Sequence, residues 1–122
     1  MTAGTLTVAS VAAAMMVGGA SSAAAADKFI LLKEASSGGV TARLWLNTRT
    51  RGLHGQGVNL RKGEMVRMDR NYTIRETVIA QSNVRSLNTS TYYTHPDRYS
   101  VCAGSPAGGT RFVCTQYHHH NG

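Results

Sequence analysis

The clearest pattern in the chain runs from Val40 to Asn47. Val40, Ala42, Leu44 and Leu46 alternate with Thr41, Arg43, Trp45 and Asn47. A strict period of two marks a half-buried antiparallel strand. Upstream, Asp27–Ala35 holds four consecutive apolar residues, Phe29 to Leu32, and Ser36-Ser37-Gly38-Gly39 closes that run. The two runs predict a hairpin. Further on, Tyr72, Ile74, Glu76, Val78 and Ala80 alternate with Thr73, Arg75, Thr77, Ile79 and Gln81. The β-branched residues in that run favour a strand over a helix. Met65–Met68 reads as a short strand entered through a tight turn at Lys62-Gly63-Glu64, and Asp69-Arg70-Asn71 turns the chain again. Between these runs, Thr48–Gly57 reads as a glycine-rich loop, and Ser82–Thr91 is polar, with only Val84 and Leu87 to anchor it.

Tyr92-Tyr93 begins another strand, which His95-Pro96-Asp97-Arg98 turns into a last hairpin over Tyr99–Tyr117. Both cysteines lie there, around a Gly/Ser/Pro cluster at Gly104–Gly109. If Cys102 faces Cys114, Tyr99 stands opposite Tyr117, Val101 opposite Thr115 and Ala103 opposite Val113. Aromatic and β-branched residues then meet across the ladder. A Cys102–Cys114 disulfide is expected, since a metal pair would require further Cys or His at short spacing. The sum is six to eight short strands with frequent turn signals. The expected fold class is all-β, a small single-domain antiparallel sandwich or barrel with a C-terminal disulfide-stapled hairpin.

Residues 1–26 change the picture of where the domain works. Leu6–Val17 is small or apolar and uncharged, and Ala23–Ala26 offers the small residues that signal peptidase accepts. A secretory signal peptide over 1–26, cleaved before Asp27, is the expectation, leaving 27–122 as one small β domain. No Lys or Arg precedes the apolar stretch: either the α-amino group alone supplies the positive n-region or the true start codon lies upstream, and the second is the expectation. The expected location is secreted, extracellular or cell-wall associated, with no transmembrane segment in the mature protein.

Charge supplies the remaining clue. All thirteen Lys and Arg and all six acids follow Ala26, so residues 27–122 carry the formal net charge of +7. Ten of the thirteen are Arg, whose planar fork matches carboxylate and phosphate. An anionic polymer or an acidic protein surface is the expected partner. The expected binding residues are Arg49, Arg51, His54, Arg61 and Lys62, in a stretch without an acid, together with Trp45. Trp45 itself either packs under the following loop or is exposed for binding. Glu76 is expected to pair with an arginine; its alternative role is a general acid or base. The favoured function is a secreted basic binding or inhibitory module. The alternatives are an envelope structural protein or a small phosphodiesterase using Glu76, His95 or His54, and Arg75. No cofactor or metal is expected as part of the function; the tail His118-His119-His120 either binds metal loosely or is an appended remnant, and carries no mechanism.

Overall fold

The structure, a computed structural model, describes residues 26–122, so nearly all of the expected signal segment, residues 1–25, lies outside the described residues. No helix occurs among the described residues; nine strands do: β1 Phe29–Ser37, β2 Val40–Asn47, β3 Leu53–Leu60, β4 Met65–Arg70, β5 Thr73–Ile79, β6 Val84–Asn88, β7 Asp97–Gly104, β8 Phe112–Cys114 and β9 His118–His120. They form two antiparallel sheets. Sheet I has the order β1-β2-β3-β6. Sheet II has the order β9-β7-β4-β5, and β8 also pairs with β7.

The β2 alternation places Val40, Ala42, Leu44 and Leu46 inside, as its pattern requires. They pack with Leu53 and Leu60 of sheet I and with Val66, Met68, Tyr99, Val101 and Ala103 of sheet II. Each inner face thus covers the other, and the core lies between them. The β1–β2 hairpin closes through Gly38 and Gly39, both at positive φ (59° and 87°), the backbone that a two-residue primed turn requires.

Several parts of the chain depart from the sequence reading; Tyr92-Tyr93, for one, begins no strand, since Tyr92 makes only an isolated bridge to Leu53 and the next strand starts at Asp97. First, half of Thr48–Gly57 is strand. The turn occupies Thr48–Gly52 only, and β3 follows with Leu53, Gly55 and Gly57 facing inward. The glycines let the sheets approach closely: a Cβ on Gly55 would lie 2.9 Å from a Val101 methyl, and one on Gly57 3.1 Å from the Val66 Cβ. Second, polar Ser82–Thr91 contributes the edge strand β6, whose Val84 and Leu87 pack against the core. Third, the turn after β4 is Asn71-Tyr72 rather than Asp69–Asn71, with Arg70 paired to Thr73. Asn71 holds it: its amide donates to Asp97 (2.7 Å), and its side-chain oxygen accepts the Arg98 N–H (2.9 Å).

The C-terminal hairpin is disulfide-bonded between Cys102 and Cys114, and Ala103 pairs with Val113 as expected. The register then slips. Tyr99 pairs with His118, not Tyr117. Thr115 is the cause. Its Oγ1, in place of a main-chain carbonyl, accepts the Val101 N–H (3.0 Å), while its own carbonyl accepts the Ser100 hydroxyl (2.9 Å). Tyr117 is released from the ladder and stacks on Tyr72, with ring centroids 4.4 Å apart. The tail histidines are part of the fold: His120 is buried and pairs with Asp97.

Candidate ligand-binding face

Because successive side chains alternate, everything that β2 and β3 do not bury is presented on the outer face of sheet I. The register aligns these residues in rows. Phe29 is opposite Asn47; Leu31, Trp45 and His54 form the next row; Glu34, Arg43, Gln56 and Asn88 the third; Ser36, Thr41, Val58 and Ser86 the fourth. Aromatic and apolar groups therefore gather at one end of the face. Phe29 is 47% exposed, Leu31 39% and Tyr93, at the adjoining rim, 56%. Contiguous exposed aromatic surface is uncommon on a domain that has no use for it.

Two adjoining hollows mark this end. One, of about 410 Å³, is lined by Asp27, Phe29, Arg49, His54, Asn88 and Tyr93 among others. The other, of about 330 Å³, lies among Phe29, Trp45, His54, Gln56 and Asn88. They share Phe29, His54 and Asn88, and so form one groove across the strands. Trp45 is not tucked under the following loop. Its indole N–H donates to Gln56 Oε1 (2.8 Å), and Gln56 Nε2 donates to Ser86 (2.8 Å). That chain of bonds satisfies the polar edge of the ring and fixes its orientation. His54 stands edge-on to Phe29, with centroids 5.4 Å apart. Burial holds the His54 pKa below its ordinary 6.5. Arg49 is hydrogen-bonded to Asp27; that bond raises the arginine pKa and lowers the carboxyl's.

The six expected binding residues are not one patch. Trp45, His54 and Arg49 meet in the groove. Arg51, also at this end of β3, turns away: it sits at φ 66° and donates to the Gly122 carbonyl (3.2 Å). Arg61 and Lys62 lie past the far end of β3, a strand about 26 Å long. Their backbone N–H groups donate to Glu64 and Asn83, and Arg61 shares a separate hollow of about 460 Å³ with Arg85 and Arg111. The acid-free stretch is continuous in sequence and is split in space because β3 runs through it. Phe29, Gln56, Asn88 and Tyr93 escaped the sequence reading. Phe29 was hidden in a run that looks fully buried, and Gln56 in a segment that looks like loop.

Glu76 faces inward, but no arginine takes it. It accepts the Ser90 N–H (3.0 Å), the Ser90 hydroxyl (3.1 Å) and the Tyr92 hydroxyl (2.8 Å). Burial, followed by this bond to Glu76, pushes the Tyr92 hydroxyl up to about 12. His95 neighbours His120 instead, with ring centroids 6.0 Å apart. Among the described residues, no group of three or more His, Cys, Asp or Glu is placed to hold a metal ion, and no helix is long and apolar enough to cross a membrane.

No protein-family model matches this chain, and no curated protein or solved structure matches it either.

Proposed function

We propose that this chain is a small exported binding module that holds an anionic polymer or an acidic protein surface, and that it does so through the outer face of sheet I. The observation that carries the reading is the groove, where exposed Phe29 and Tyr93 stand with half-buried Trp45 and with Arg49 in its lining. The net charge of +7 draws the domain toward anionic surfaces, and the aromatic groups give it something to grip. The disulfide is compatible with an oxidising, extracellular setting. The phosphodiesterase alternative draws no support from the geometry, since Glu76, His54 and His95 each have different neighbours.

The test is co-sedimentation of residues 27–122 with cell-wall polymer, RNA, DNA and anionic vesicles at low and high salt. Binding to at least one of them is expected, falling steeply with salt. Trp45→Ala and Arg49→Ala together should weaken it about tenfold, the equivalent of about 1.4 kcal/mol. Failure to bind any of the four, or binding indifferent to both substitutions, overturns the reading.

A further inference from the structure

We infer that the groove on sheet I binds the sugar rings of a glycan chain. This rests on the binding-module reading above and names what its groove recognises.

The argument begins with charge. Although the domain is strongly basic, the groove is not: its lining holds one arginine, Arg49, and one acid, Asp27, bonded to each other. Charge complementarity therefore selects an occupant that is locally neutral. A nucleic acid strand would stack its bases on the aromatic rings but needs cations along its phosphates, and the free basic pair Arg61-Lys62 lies past the far end of β3. An extended peptide would gain most of its affinity by pairing with an edge strand. This groove crosses the face of the sheet, with the inner strands β2 and β3 contributing Trp45, His54 and Gln56 to its floor.

The chemistry of the lining points the same way. A pyranose ring has faces made of C–H groups and an equator of hydroxyls. The C–H faces carry partial positive charge and match the negative face of an aromatic ring. Trp45 is suited to this, because Gln56 already occupies its N–H. The hydroxyl equator needs paired donors and acceptors of either sense. Asn88, Thr91 and Tyr93 provide neutral ones, and Asp27 with Arg49 provides a fixed donor–acceptor pair at the rim. The two hollows, about 410 and 330 Å³, fall within the size range of small-ligand sites, roughly 300–1,000 Å³. Each accommodates a ring, so a chain of at least two sugars is the natural occupant. Acidic groups elsewhere on such a polymer would meet the basic remainder of the surface.

Trp45 is the sole tryptophan, so its fluorescence reports directly on the groove. The experiment titrates residues 27–122 with hexasaccharides of β-1,4-glucose, β-1,4-N-acetylglucosamine and galacturonic acid, with a uridine oligonucleotide alongside. At least one saccharide should change the Trp45 emission, with an affinity for the neutral chains that salt does not alter. Phe29→Ala and Tyr93→Ala, both at exposed positions, should each weaken it about tenfold while leaving the reporter in place. The inference is overturned if no saccharide perturbs Trp45 or the groove amides at millimolar concentration, or if only the oligonucleotide does. Should polyanion binding survive that result and still depend on Trp45, the glycan inference falls alone. Loss of both would remove the binding-module reading with it.

Discussion

Gly55 and Gly57 show how a single missing side chain decides the spacing of two sheets. They occupy inward positions of β3 where Leu or Val would ordinarily stand, and the space is taken by Val101, Val66 and Ala103 from across the core. A methyl on Gly55 would press on Val101, whose β-branched side chain has few ways to yield. Gly55→Ala is therefore expected to destabilise the domain by about 1–3 kcal/mol, as overpacking does, seen as a lower urea midpoint at unchanged m-value. A midpoint equal to wild type would mean that the sheets can part at no cost. These residues also explain why β3 was illegible. The period of two is intact as Leu53, Gly55, Gly57, but glycine has no apolar side chain to register it, and three glycines in a short span signal a loop. Glu76 was half-legible in the same way. Its inward direction followed from the alternation, while its partners Ser90 and Tyr92 come from a crossover that local sequence does not foretell.

At the scale of elements, the hairpins with both strands self-patterned were legible and the strands defined by their neighbours were not. β2 declares itself through four buried residues in alternation. β6 is polar at most positions and becomes a strand because β3 offers it a ladder, from Gln56↔Asn88 to Leu60↔Val84. β9 is three histidines, ordered because β7 extends past the disulfide and leaves an open edge. The disulfide closes the chain between Cys102 and Cys114, a sequence separation of 12. The chain-entropy relation assigns such a closure about 3 kcal/mol. Reduction should lower the unfolding free energy by about that amount. It should leave the sheets formed, since the core residues β2, β3 and β4 contribute do not involve either sulfur. Far-UV circular dichroism of reduced and alkylated protein would test this. Loss of the β signal at 25 °C would show that the fold depends on the bond.

The whole molecule should respond to acid in two stages. Burial lowers the pKa of His54, His118 and His120 below the ordinary 6.5. A base whose folded pKa is depressed takes up its proton more readily when unfolded. Below pH about 6.5 the unfolded chain therefore binds more protons, and stability falls as pH drops toward the folded values. Asp27, Glu64 and Asp97 shift in the helpful direction: bonds from Arg49, Arg111 and Asn71 respectively are the main cause, and hold them below 3.8, 4.5 and 3.8. Their contribution is present above those ordinary values and is lost below them, giving a second decline. Protonation of these three histidines adds to a charge already at +7, which steepens the decline. His120 is the residue through which the first stage is tested. It is 3% exposed, and its Nε2 has no hydrogen-bond partner among the described residues; His95, His118, Arg51 and Asp97 lie near it. Burial is the main cause that disfavours a proton there, while the Arg51 backbone and Asp97 favour one. His120→Phe keeps a ring in the space and removes the titration. Urea midpoints at pH 7.5 and 5.5 should differ clearly in the wild type and much less in the variant. An equal drop in both would move the first stage to His54 and His118 and leave His120 as packing alone.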